Sequence, residues 1–147
     1  MQFTYNTVVT RVEWSTEDLV FARPLDSDHR KLIEQIERVR QAVEPGEAPH
    51  EPGLDLWRLS RMLSIHFASE ERLMQECRYP AIQWHQRQHR TGRRKMGRLL
   101  YASRVSGGHS AGSALEKFTA WFRDHIHLAD RMFAAHLRND QRGRLVS

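Results

Sequence analysis

The sequence predicts an all-α protein: an antiparallel up-down four-helix bundle preceded by an irregular N-terminal arm. Three observations carry this prediction. Apolar residues recur at spacings of three and four along four separate stretches, the period of a helix with one buried face. Proline- and glycine-rich segments, "EPGEAPHEPG" and "SGGHSAGSA", punctuate those stretches. No run outside the arm alternates apolar and polar residues as a strand does. At 147 residues, 39% of them hydrophobic, the chain has the length of one domain and enough apolar surface to bury a core. Short connections make sequential helices antiparallel neighbours.

The arm occupies residues 1–25, where β-branched residues, Trp14 and Pro24 suit irregular packed chain. The bundle covers 26–138, and a basic tail covers 139–147. Asp26 or Ser27 is placed to cap a first helix at 27–43, whose inner face is His29, Leu32, Ile33, Ile36, Val39 and Val43. A second helix at 54–76 turns Leu56, Leu59, Met62, Leu63, His66, Phe67, Glu70, Leu73 and Met74 to one side. Pro80 opens the third helix, which aligns Ile82, His85, His89, Gly92, Met96 and Leu99. The fourth spans 113–138 with Leu115, Phe118, Trp121, Phe122, His125, Leu128 and Met132 inward. Two long loops, near 44–54 and 103–113, connect these elements.

Composition narrows the function. No apolar run approaches the roughly 20 residues of a membrane helix. The opening "MQFTYNTVVTRVEW" lacks the layout of a signal peptide, so the expected location is the cytoplasm. The lone Cys77 has no partner for an internal disulfide and reads as a packed thiol. The formal charge of +5 gathers in "RQHRTGRRKMGR" and the C-terminal tail. Neither segment interleaves aromatics with its arginines, so a solvated basic face is expected and no nucleic-acid partner.

The histidines are the anomaly. Each helix carries at least one inside its apolar stripe, where an unpartnered imidazole is costly. His66 and Glu70 are four apart, as are His85 and His89, so each pair shares a helix face. His29 and His125 join them from the remaining helices. Imidazoles and carboxylates facing inward from every helix are how a bundle builds a metal site. The set exceeds the three or four ligands of a zinc site and contains no thiolate cluster, which suits a pair of first-row ions, iron above all. A Glu-x-x-His at Glu47–His50 falls in the proline-rich loop and reads as chance. Asp130 is ambiguous from spacing. Five residues from His125 it turns away on an ideal helix, and it reaches the same site only through a local distortion such as a π-bulge. His50 and His109 fall in loops, His127 points away from His125, and His136 lies about three turns further on.

The four spacings together resemble the hemerythrin family, specifically its single-domain bacterial members. The relevant stretches are "DSDH" ending at His29, "HFASE" from His66 to Glu70, "HQRQH" from His85 to His89, and "HIHLAD" from His125 to Asp130. "EERLM" followed by "YP" adds to the likeness, which runs over roughly residues 14–133. The resemblance implies two iron ions with a bridging oxo or hydroxo group. It implies Glu70 and Asp130 as bridging carboxylates, with His85, His89 and His125 on one iron and His29 and His66 on the other. One coordination position then stays open on the iron with fewer histidines, and dioxygen is the implied ligand.

By matched position the oxygen pocket is Leu32, Phe67, Trp121, Phe122 and Ile126, all apolar here. An apolar wall excludes water and supplies no proton donor. The expectation is therefore reversible dioxygen binding for storage, delivery or sensing, by a monomer or weak oligomer. The competing readings are a di-iron enzyme (an oxidase, peroxidase or nitric-oxide scavenger) and a redox or oxygen sensor module.

Overall fold

The computed structural model describes residues 11–43, 52–105 and 108–146. Its helices are α1 (Arg23–Val43), α2 (Pro52–Glu76), α3 (Ile82–Val105), α4 (Gly108–His125) and α5 (Arg131–Val146). A π-helical turn, Ile126–Asp130, joins α4 to α5 in one continuous rod. Helix α1 packs on α2, α2 on α3, α3 on α4, and α4 back on α1, which closes a four-membered bundle. There is no strand among the described residues.

The core follows the predicted stripes on the first three helices. Ile36, Val39, Leu59, Phe67, Leu99, Phe118, Phe122 and Phe133 are all fully buried. Burying each such side chain contributes about 1.5–3 kcal/mol. The fourth stripe departs from expectation beyond His125: Leu128 and Met132, expected inside, are 58% and 47% exposed. The π turn inserts one extra residue and rotates everything after it, so Ala129, Phe133, Ala134 and Leu137 take the inner positions.

The boundaries move too. Helix α1 begins at Arg23, and Asp26 is not its cap. The Asp26 carboxylate instead accepts the Val20 N–H at 2.8 Å and closes the turn leading into the helix. Helix α3 begins at Ile82, two residues after Pro80, and runs to Val105. Helix α4 starts at Gly108, so the glycine-rich segment expected as a loop, with His109, is mostly helical. Helix α5 continues through Val146, across the region expected as a tail. The segment 44–51, with Glu47 and His50, lies outside the described residues, as do 1–10.

The arm at 11–22 is irregular apart from a 3-10 turn, Thr16–Asp18, and is held by polar contacts to the bundle. The Val12 N–H donates to Glu37 Oε2 at 2.8 Å. Arg123 donates to Glu13 O at 2.7 Å, and Arg138 to Val20 O at 2.7 Å. Arg131 reaches Leu19 O at 3.2 Å and also contacts Glu17 O. Trp14 is half-buried against the core, with the Arg30 guanidinium over its ring.

Candidate metal centre

Seven polar side chains occupy the middle of this core: His29, His66, Glu70, His85, His89, His125 and Asp130, each at most 3% exposed. Helix α1 supplies His29, α2 supplies His66 and Glu70, α3 supplies His85 and His89, and the α4–α5 rod supplies His125 and Asp130. On α2 and α3 the four-residue step stacks each pair on one inner face. On the rod a five-residue step does the same, because the π turn begins just after His125 and ends at Asp130. The distortion that Asp130 required is therefore present.

Two donor sets emerge. Glu70, His85, His89, His125 and Asp130 form one, and His29, His66, Glu70 and Asp130 form the other; within each, one ligand atom per residue lies within 4.8 Å of all the others. Both carboxylates belong to both sets. Asp130 Oδ2 lies 2.9 Å from His29 Nε2, while its Oδ1 lies 3.0 Å from both His85 Nε2 and His125 Nε2. Glu70 Oε2 lies 3.0 Å from His66 Nε2 and 4.0 Å from His89 Nε2, and Oε1 lies 2.8 Å from His85 Nε2. Each carboxylate thus spans the two sets.

Despite these short distances, the geometry is not that of hydrogen bonding. The Nε2 atoms of all five histidines and all four carboxylate oxygens are buried without a hydrogen-bond partner among the described residues. Buried polar groups in folded proteins are overwhelmingly paired. Nine inward-facing nitrogen and oxygen atoms with no hydrogen-bond partner fit a site built for cations. The donors are nitrogen and oxygen only, which suits first-row divalent ions. Cys77 takes no part: its Sγ contacts Met74 O, and burial pushes the thiol up, with the Asp140 charge adding to it.

The charges interlock. Burial disfavours the His66 cation, but Asp28 and Glu70 outweigh it and raise the imidazole to about 10. Burial opposes the charge on His85 as well, and the Asp130 and Glu70 carboxylates raise it to about 9. His89 goes the other way, to about 2, through burial and then the repulsion of His125 and His85. Asp130 resists its own burial because His125, His29 and His85 hold it ionised, well below the usual carboxylate range.

Two carboxylates outside the set fix imidazole orientation. Asp28 Oδ2 lies 3.2 Å from His66 Nδ1, and Glu71 Oε1 lies 2.7 Å from His89 Nδ1. Each pairing leaves Nε2 facing the centre, as second partners of ligating histidines do. The sequence reading missed both. The adjacent pair Glu70–Glu71 was a signal, since consecutive helical residues aim about 100° apart and only one could face the core.

The apolar wall is aromatic. Phe67 stacks on His89 at 3.9 Å, Trp121 stacks on His125 at 5.0 Å, and Phe122 meets His29 edge-on at 6.1 Å. Leu32 and Ile126 are buried in the same apolar cluster. Gly92 permits this wall: a Cβ there would sit 2.3 Å from Trp121 Cη2. Among the other histidines, His127 Nε2 pairs with buried Asp18 at 2.8 Å, and His136 Nε2 with Cys77 O at 3.0 Å. Both lie outside the two donor sets.

A four-helix bundle with inward histidines and shared carboxylates defines a bundle-core metal-binding protein. The profile of the Hemerythrin HHE cation binding domain matches residues 20–137, and the chain belongs to the hemerythrin family. No curated protein matches it. No helix among the described residues is long and apolar enough to cross a membrane.

Proposed function

We propose that the chain is a non-enzymatic carrier or sensor that binds dioxygen reversibly at a pair of iron ions. One observation carries this reading: two unequal donor sets share both of their carboxylates, three histidines on one side and two on the other. His85, His89 and His125 would hold one ion, His29 and His66 the other, with Glu70 and Asp130 spanning both. When bound, such an iron pair supplies two electrons for capturing dioxygen and takes them back on release.

The chain's own residues set the conditions. The ion held by the set with fewer histidines would keep a coordination position for an added ligand, near Phe122 at His29 and Phe67 at His66. Phe67, Trp121 and Phe122 exclude water and offer no proton, which disfavours release of charged oxygen species. Asp28 and Glu71 hold two imidazoles in register. No side chain among the apolar wall residues is an acid or base for turning over an organic substrate. The unpaired Cys77 agrees with a reducing compartment such as the cytoplasm.

The test is spectroscopic. Iron-loaded protein is reduced anaerobically, exposed to dioxygen, then purged with argon. Visible charge-transfer bands that appear and vanish over repeated cycles support the reading. Immediate, irreversible conversion to a ferric spectrum points to an oxidase or peroxidase instead.

A further inference from the structure

Helix α3 has a second feature, separate from the histidine cluster. Between Ile82 and Val105 it carries seven Arg and Lys residues and no Asp or Glu, which outweighs the whole chain's net +5. Towards its C-terminal end a cleft of about 270 Å³ opens against α4, lined by Lys95, Arg98, Lys117, Ser110 and Ser113 with Ala102 and Ala114. A minority of the basic side chains pair with carboxylates, as in Arg30–Glu34 at 3.2 Å and Arg40–Glu37 at 2.6 Å. Lys95, Arg98 and Lys117 form no ion pair among the described residues. Three like charges around one concavity repel each other and raise the local potential for anions. Ser110 lies in the first turn of α4, where backbone N–H groups lack intrahelical acceptors and the helix dipole is positive.

We propose that this cleft binds a small phosphate-bearing anion of the triphosphate class. Three cations match several phosphate charges, and two hydroxyls add neutral donors. The volume falls just below the roughly 300 Å³ at which small-molecule sites begin, which suits a compact anion. None of the lining residues is aromatic, so the cleft lacks the stacking surface that single-stranded nucleic acid uses. The cleft shares α3 and α4 with His89 and His125 but uses none of the metal-site residues, so anion binding stands or falls independently of the iron reading.

The experiment is calorimetric titration of the full, metal-free chain with sodium tripolyphosphate at near-physiological salt, so that chelation of iron by the polyphosphate contributes no heat. One anion per chain is expected. Lys95→Ala with Lys117→Ala, and separately Ser113→Asp, should each weaken binding by about tenfold or more, because charge-assisted hydrogen bonds are lost or opposed. A charge-matched control, Arg87→Ala with Arg90→Ala, removes two cations of α3 outside the cleft and should shift affinity by no more than about threefold. Circular dichroism verifies that every variant keeps its helices. Equal losses in the cleft and control variants, or no saturable binding, would overturn the proposal by reducing it to diffuse attraction. Tighter binding of a thymidine oligonucleotide than of tripolyphosphate would overturn it in favour of nucleic acid.

Discussion

Asp130 Oδ1 lies 3.0 Å from His125 Nε2 although five residues separate them, a step that points the two side chains apart on a straight α-helix. The π turn between them converts that step into a shared direction. Asp130→Ala is therefore expected to lose bound iron while helical content stays near that of the parent. Restoring a carboxylate at the regular four-residue step, Ala129→Asp with Asp130→Ala, should not recover it. Recovery of full iron content in the double variant would show that the π turn has no part in placing the carboxylate.

The same turn marks what was legible in the sequence. Motif spacing on α2 and α3 gave the facing pairs, since four residues is one turn of a regular helix. Leu128 and Met132 were misplaced because periodicity was carried straight through a π turn that no apolar pattern announces. Asp130 was recoverable only through the family likeness. Asp28 and Glu71 were missed because their role lies in contacts across helices, Asp28 from α1 to α2 and Glu71 from α2 to α3. Asp18 was missed because its partner His127 is 109 residues away.

Glu71 accepts from His89 Nδ1 at 2.7 Å, and Glu71→Gln keeps the shape while removing the charge. Iron affinity should fall by about 10–100-fold, with little change in thermal stability of the metal-free chain. Competition against a calibrated chelator reads this directly. Unchanged affinity would mean that the contact does not tune the imidazole.

Metal uptake should be proton-linked. In the metal-free chain His66 sits at about 10 and His85 at about 9, so both are protonated at neutral pH. A ligating imidazole must be neutral, so binding expels protons and affinity rises as pH climbs toward those values. An indicator dye in weak buffer should register acidification when ferrous iron is added anaerobically. Proton-neutral binding would contradict the charge assignment.

Gly92 and Gly97 sit five residues apart on α3 and should respond oppositely to alanine. A Cβ at Gly92 collides with Trp121, so Gly92→Ala is expected to cost about 1–3 kcal/mol and to shift Trp fluorescence. Nothing lies within 4 Å of a Cβ at Gly97, so Gly97→Ala should stabilise by about 0.5–1 kcal/mol. Chemical denaturation of both variants measures the contrast.

Glu37 ties the arm to α1 by accepting from Val12 N–H at 2.8 Å and from Arg40 at 2.6 and 2.8 Å. Burial raises its carboxyl, but Arg40 and the Val12 N–H overcome this and leave it below its usual 4.5. A depressed carboxyl contributes stability that is present above the unfolded value and lost as pH falls through the folded one. Glu37→Gln should thus cost about 1–2 kcal/mol at neutral pH, and the gap should close in acid. A gap independent of pH would assign the effect to packing.

The central claim is a paired iron centre, and anaerobic titration of metal-free protein with ferrous iron tests it most directly. The two donor sets sharing Glu70 and Asp130 predict a break at two irons per chain. A break at one iron, or no saturable uptake, would contradict the account.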